Sequence, residues 1–212
     1  MVVTAPKHLR HSEIDRFVAA RKDWIRAVRE RLARARAGRD PAIFSLRPAR
    51  IDLPAVGETW RVVHGQASGE LCGQGPDTAE LLLQLPANEP IEAVVWQLHG
   101  WLKNRARHAL TPRIQALAQA HGMTYGRLSF RNQKSRWGSC SSKGNLSLNA
   151  RLLFCSPEAC RYVLIHELVH LEHPNHSPDF WQRVAELCPD YRRHMRELKT
   201  VWHRLPDWVT AS

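Results

Sequence analysis

The chain has 212 residues, 43% of them hydrophobic, with eight tryptophans and a formal net charge of +11. This composition is typical of a globular protein and excludes intrinsic disorder, and the absence of any apolar run near about 18 residues excludes a membrane span. Five cysteines without a Cys-x-x-Cys pair argue against a disulfide framework and a zinc knuckle. The start of the chain lacks the apolar segment of a secretory signal, so we expect a cytoplasmic protein. The basic surface would attract nucleic acid, nucleotides or acidic protein.

Residues 1–89 predict an N-terminal helix and a small antiparallel sheet layer. Residues 2–6 are typical of a strand, and Ser12 caps a helical pattern that continues to Ala37. The arginines on the polar face of this helix would suit phosphate contacts, although a charged stripe is more often a solvated face. Short alternating runs between residues 40 and 90, separated by Pro and Gly, predict the sheet.

Residues 90–212 predict a second domain. A long helix follows Pro90, and Thr111-Pro112 either ends it or caps a further helix. The next predicted elements are a strand over residues 128–131, a polar loop over 132–144 and a second strand of alternating polarity over 145–152. A last helix is predicted over residues 190–204. Ser156 and Ser177, each followed by proline, predict the starts of two helices between the second strand and the last helix.

The helix that follows Ser156 carries His166-Glu167-Leu168-Val169-His170 within an apolar run. Histidines four residues apart on a helix lie one turn above each other, so both imidazoles can bind one metal ion at about 2 Å. Glu167 is rotated about 100° from His166, too far to share the ligand positions but close enough to reach a water in the open metal position. The motif therefore predicts a metal site with Glu167 as general base.

A catalytic zinc has three protein ligands and one exchangeable position, so a third ligand is needed. We predict His176, because Pro174 ends the helix at His173 and lets the chain turn back over the metal. His173 is the competing choice, although on a straight helix it would lie two turns from His166 and strain a tetrahedral site. The alternative for the whole motif is a buried helix whose histidines donate to backbone carbonyls.

Several strings in the second domain together resemble the YgjP-like family of small zincin metallopeptidases. They are Ser135-Arg136-Trp137-Gly138-Ser139-Cys140-Ser141, Gly144-Asn145-Leu146-Ser147-Leu148-Asn149, the His-Glu-x-x-His segment, and Asn175-His176-Ser177 with Phe180-Trp181. The resemblance implies an α+β fold with a zincin-like core, in which the active-site helix packs against a small antiparallel sheet. It also implies zinc on His166, His170 and His176, with Glu167 as the catalytic base. The metzincin family has the same ligand spacing but requires a turn glycine where His173 stands, so we set it aside.

The main hypothesis is a zinc-dependent peptidase that acts on peptides or proteins, in which Glu167 takes a proton from water and passes it to the leaving amine. Residues 145–152 are the predicted edge strand that pairs with an extended substrate. Arg136, Ser139 and Asn149 are candidates for holding the substrate oxyanion. Phe180 and Trp181 are expected to wedge the third ligand against the active helix.

Two other functions fit parts of the pattern. A metal-dependent phosphohydrolase acting on nucleotides could use Lys134 and Arg136 to hold phosphates, although no acidic cluster suited to Mg²⁺ is evident. A nucleic-acid-binding protein with a structural metal would need a fourth protein ligand, for which His173 and Cys140 are the candidates.

Overall fold

A computed structural model describes residues 44–65 and 81–211, together with the single positions Ser12, Ala19, Arg26 and Asp40. By its internal contacts the chain divides into two compact units, Met1–Asp40 and Pro41–Ser212. The predicted N-terminal strand, and almost all of the first helix, lie outside the described residues. The domain boundary after residue 89 stays a prediction. The elements below all belong to the second unit.

The first sheet has three strands in the order β1-β2-β3: Arg50–Leu53, Glu58–Gly65 and Leu81–Pro86. A 3-10 turn at Pro54–Val56 joins β1 to β2 and ends at Gly57, whose φ of 69° suits glycine. These two strands are antiparallel, but β2 and β3 run parallel. The prediction of an antiparallel sheet is therefore wrong for the second pair. The segment between β2 and β3 is long enough for the crossover that parallel strands require, and alternation within a strand does not report its direction.

Helix α1, Ile91–Ala120, runs without interruption through Pro112. Neither outcome predicted for Thr111-Pro112 occurs, since the helix neither ends nor restarts there. A proline inside a helix removes one hydrogen bond and costs about 3 kcal/mol. Leu110 and Ile114 on either side of it are fully buried, and their packing offsets that cost. Trp101 on α1 packs edge-on against Trp60 of β2, with ring centroids 5.3 Å apart.

The second sheet has the order β4-β6-β5, with strands Leu128–Arg131, Gly138–Cys140 and Leu146–Asn149 numbered along the chain. It is mixed where an antiparallel sheet was predicted, because β4 pairs parallel and β5 antiparallel to β6. The strand predicted over residues 145–152 is β6, which ends at Asn149 because the Asn149 side chain accepts from the Arg151 N–H and starts a 3-10 helix, Ala150–Phe154. The α+β class itself is confirmed.

Four helices follow: α2 Pro157–Val169, α3 Pro178–Leu187, α4 Tyr191–Val201 and α5 Asp207–Thr210. The predicted caps are confirmed, since Ser156 Oγ accepts from the Ala159 N–H and Ser177 Oγ from the Phe180 N–H. The short helix α5 was not predicted. It buries Trp208 completely, and His99 on α1 bonds to the Trp208 carbonyl at 2.8 Å. None of the helices in the described ranges is both long and apolar enough to cross a membrane.

Candidate active site

Helix α2 is enclosed on almost all sides, because it packs against β5, α3, α4 and α1. Apolar residues dominate its buried positions. It ends at Val169, one turn before the predicted end at His173. The Leu171 and Glu172 N–H groups bond to the Leu168 and Val169 carbonyls, three residues back, at 2.9 and 3.0 Å, so the chain tightens into a turn before Pro174.

The turn brings His176 back over the helix. Its Nε2 lies 3.1 Å from the Nε2 of His166, and its ring centroid lies 4.8 Å from that of His170. One ring nitrogen from each of His166, His170 and His176 lies within 4.8 Å of the other two. No other cluster of metal-binding side chains is found in the described part of the chain, and His173 is not in this one.

Two aromatic residues at the start of α3 support the three imidazoles. Phe180 is completely buried, and its ring centroid lies 4.6 to 4.9 Å from all three histidine rings. Trp181 stacks on His176, with centroids 5.4 Å apart and an interplanar angle of 22°. The expectation that these aromatics wedge His176 against α2 is confirmed. Because α3 is capped by Ser177, the residue after His176, the helix start fixes both the aromatics and the third histidine.

The hydrogen bonds around the triad leave ring nitrogens free for a metal. His170 Nδ1 lies 3.1 Å from the His173 carbonyl, which can only accept, so Nδ1 carries the proton and Nε2 has the lone pair. The Tyr162 hydroxyl lies 3.4 Å from His166 Nδ1, on the side of the ring away from the Nε2 that faces His176. His173 thus acts through its backbone, as a support for His170.

The surroundings of His166 and His170 also favour neutral imidazoles. Burial, together with the neighbouring His170 and His176, lowers the pKa of His166 to about 3. Burial also lowers the pKa of His170. Neutral imidazole is the form that binds metal, and tetrahedral bonds of about 2.0 to 2.1 Å place two nitrogens about 3.3 Å apart. The observed 3.1 Å between His166 and His176 is therefore compatible with two nitrogens that share one metal ion.

The Glu167 side chain lies against strand β5. Its side chain is buried, with 5% exposure, and burial raises its pKa to about 8 despite the opposing charge of Arg136. A Cβ on Gly138 would lie 2.5 Å from the Glu167 Oε1 and 2.7 Å from its Cδ and Cγ. No side chain fits there, so Gly138 is what lets the carboxylate reach the strand. Gly138 had no predicted role, although a glycine in a strand often marks such a close approach.

The three predicted oxyanion residues occupy different environments. Asn149 is fully buried, and its amide donates to the carbonyls of Gln133 and Arg136 at 2.8 Å each, which leaves no donor for a substrate. It holds the loop before β5. Ser139 alternates with Gly138 on β5, so its side chain points to the sheet face opposite Glu167. Arg136 is exposed, and its positive charge acts to lower the pKa of Glu167.

A model of the YgjP-like metallopeptidase domain matches residues 1–201. The chain belongs to the YgjP-like metallopeptidase family. The resemblance carried by the sequence motifs is thus confirmed. A search of curated proteins finds no match. Membership of the YgjP-like family makes this protein a metal-binding hydrolase of the peptidase class, with peptides or proteins as substrates.

Two cavities flank β5 in this YgjP-like protein. One, of about 440 Å³, lies at the Cys140 end of the strand and includes His170 and Leu171 in its wall. The other, of about 510 Å³, includes Trp137 and Tyr162 at the opposite end. The strand between them has β6 on one side only and contacts α2. An extended chain beside β5 would therefore have room at both ends.

Proposed function

We propose that the protein is a zinc-dependent peptidase in which His166, His170 and His176 hold the metal and Glu167 is the general base. One observation carries the proposal. One ring nitrogen from each of three histidines converges within 4.8 Å of the others, while the next residue after His166 is a buried carboxylate that faces an edge strand. This combination supports water-mediated hydrolysis of a chain lying on that strand.

Zinc, when bound, would polarise the scissile carbonyl, acidify the attacking water and lower the pKa of the neighbouring carboxylate. The protein's own residues supply the remaining functions. His173, through its carbonyl, and Tyr162, through its hydroxyl, keep the Nε2 atoms of His170 and His166 directed into the site. Phe180 and Trp181 exclude water from behind the rings.

Glu167 moves the proton. No described residue donates a hydrogen bond to its carboxylate, so the oxygens are free to accept from water and then to donate to the leaving amine. The raised pKa of about 8 reflects burial, and a carboxyl group with a pKa close to neutrality can both accept and return a proton. Gly138 allows this group to lie directly under the bound chain.

Strand β5 is the substrate-pairing edge in this proposal. The predicted edge, residues 145–152, is wrong because β6 is the central strand and is paired on both sides. An edge strand has unpaired backbone N–H and C=O groups along one side, which can bind an extended peptide. Of the two edges of this sheet, β5 is the one that contacts the active helix.

Metal content by mass spectrometry tests the site. We expect one zinc per chain in the wild type, retained in His173→Ala and lost in His166→Ala and His176→Ala, with proteins prepared without a polyhistidine tag. His173→Ala is the matched control, because it removes an imidazole next to the site and keeps the carbonyl that supports His170. Zinc loss from all three variants alike would contradict the assigned ligands.

Hydrolysis assays test the reaction. Casein and a mixture of quenched fluorescent peptides should be cleaved by the zinc form and not by Glu167→Gln. Nucleoside triphosphates serve as the comparison substrates, because the basic loop with Arg136 was also compatible with a phosphohydrolase. Release of phosphate or pyrophosphate that depends on Glu167, without any peptide cleavage, would refute the peptidase proposal.

A further inference from the structure

The sheet that carries β5 has a second face, turned away from Glu167. Side chains alternate along a strand, so Ser139 lies on the face opposite the Cβ direction of Gly138. The strand register pairs Ser129 with Ser147 and Ser147 with Ser139. Three hydroxyl side chains therefore form a row across all three strands. The proposed mechanism uses none of them.

This face lines a cavity of about 550 Å³ that is rich in cations. Its walls include Arg127, Arg131 and Arg136, all exposed, beside the three serines. None of the lining residues within the described ranges is acidic. No described carboxylate forms an ion pair with Arg127 or Arg131. We call the three arginines and three serines the arginine face.

Two buried polar atoms in this cavity have no partner among the described residues. They are the Ser147 Oγ and the Gln133 Oε1. Both atoms are closed to solvent, so they belong to the wall of the cavity and not to its open surface. Guanidinium groups without a carboxylate partner, beside hydroxyl side chains, are typical of an anion-binding site.

The arginine face is continuous with the proposed substrate path. Cys140 and Ser141 line both its cavity and the cavity that contains His170. A peptide paired with β5 would place alternate side chains on the two faces of the extended sheet. Those in line with Gly138 would face the metal side. Those in line with Ser139 would face the arginines.

We propose that the arginine face binds acidic side chains of the substrate and so selects peptides that carry Glu or Asp at alternate positions near the scissile bond. This inference rests on the proposed peptidase function. Arginine and carboxylate form short, charge-assisted and often bidentate hydrogen bonds, which suits the three guanidinium groups. The site would thus determine substrate class, and the histidines and Glu167 would perform the cleavage.

Binding is measured first, with full-length Glu167→Gln, which holds peptides without cleaving them. The probes are two fluorescent extended peptides of identical length, one with Glu and one with Gln at alternate positions, followed by anisotropy. We expect about tenfold tighter binding of the Glu peptide at low salt, falling at high salt. Adding Arg127→Gln and Arg131→Gln should abolish the preference. Adding Arg193→Gln and Arg196→Gln, two exposed arginines on α4, removes the same charge and should keep it.

The outcomes separate the two proposals. Equal affinity for both peptides, or a preference lost equally in the α4 control, overturns the acidic subsite. Tight binding of a single-stranded oligonucleotide through Arg127 and Arg131, with no peptide preference, also overturns it and assigns the face to nucleic acid. If the wild-type enzyme, which keeps Glu167, cleaves both peptides at equal rates, the peptidase proposal is upheld and the acidic subsite is overturned. A preference for the Glu peptide without cleavage of any peptide upholds the anion site and refutes the peptidase.

Discussion

A half-buried glutamate, Glu58, and a buried one, Glu167, have opposite surroundings in this protein. Glu58 on β2 accepts from Arg105 Nε at 2.7 Å, from a second Arg105 nitrogen, and from Trp60 Nε1 at 2.9 Å. Burial by itself would raise the pKa of Glu58, but these hydrogen bonds and the charges of Arg105 and Arg113 outweigh burial and lower it. Glu167 on α2 receives no hydrogen bond from the described residues, and burial raises its pKa to about 8.

The difference separates a structural carboxylate from the one proposed to act in catalysis. Glu58 is satisfied by partners on β2 and α1, so it joins the first sheet to the long helix and has no capacity left for chemistry. Glu167 is held by its helix and by the space that Gly138 leaves, with its oxygens unoccupied. A buried acid without partners destabilises a fold, and such groups cluster where function requires them.

The largest expected effect is on catalysis. Glu167→Gln should lower kcat for peptide hydrolysis by about 10²- to 10⁴-fold, because it removes the general base while keeping the shape of the side chain. Zinc content should stay at the wild-type value. Glu58→Gln is the matched control and should keep kcat per folded molecule. Equal losses in the two variants would mean that Glu167 has no special role.

Gly138→Ala should have the next largest effect. Its Cβ would overlap the Glu167 carboxylate, so the carboxylate or β5 must shift, and we expect kcat/KM to fall by about 10- to 100-fold. Gly100→Ala on α1 is the control, since nothing lies within 4 Å of the Cβ it adds. It should leave kcat/KM unchanged. A fully active Gly138→Ala enzyme would show that Glu167 tolerates another position.

Arg105→Gln tests the structural carboxylate. It removes the main partner of Glu58 and should lower the free energy of unfolding by about 1 to 3 kcal/mol, because hydrogen bonds to charged groups contribute amounts of that order. Urea denaturation measures the change. The kcat of the folded fraction should not change, since the pair lies on β2 and α1. A loss of kcat without a loss of stability would contradict the division of roles.

The two carboxylates should also differ in the pH dependence of stability, measured on metal-free protein by urea denaturation. The folded pKa of Glu167 is raised from 4.5 to about 8, so its contribution is lost as the pH rises through that interval. The stability of the wild type relative to Glu167→Gln should therefore fall between pH 4.5 and 8. The folded pKa of Glu58 lies below 4.5, so its contribution is present above pH 4.5 and lost below it.

Relative to Glu58→Gln, the wild type should therefore lose stability only as the pH falls below about 4.5. Each comparison cancels the titration of the histidines, which both proteins share. Parallel curves for the two variants would show that the carboxylates sit in equivalent environments.

Local chemistry explains what could be predicted along the chain. The helix starts at Ser156-Pro157 and Ser177-Pro178 depend on side chains within three residues of the backbone they cap, so the sequence alone indicates them. The His166–His170 spacing depends only on the helical repeat. Residue-level reasoning favoured His176 over His173, and in the structure His176 lies in the cluster and His173 does not.

Strand pairing could not be predicted in the same way. Alternation indicates a strand but says nothing about its neighbours, so the parallel pairs β2-β3 and β4-β6 were missed. Strand β5 is only Gly-Ser-Cys, which has no strand propensity, and it exists because β6 binds it. Helix α1 passes Pro112 because distant residues bury both flanks.

The sequence by itself determined the candidate site: the His-Glu-x-x-His helix, its caps, and the aromatics of α3 that pack against His176. Tertiary structure decided which strand lies over Glu167, why Gly138 must stand there, and that Arg127 and Arg131 share a cavity with Ser139. The physical reason is the separation along the chain over which each interaction acts. Capping and helical spacing act over one turn, whereas strand order, burial and the pKa of Glu167 depend on contacts between residues far apart in the chain.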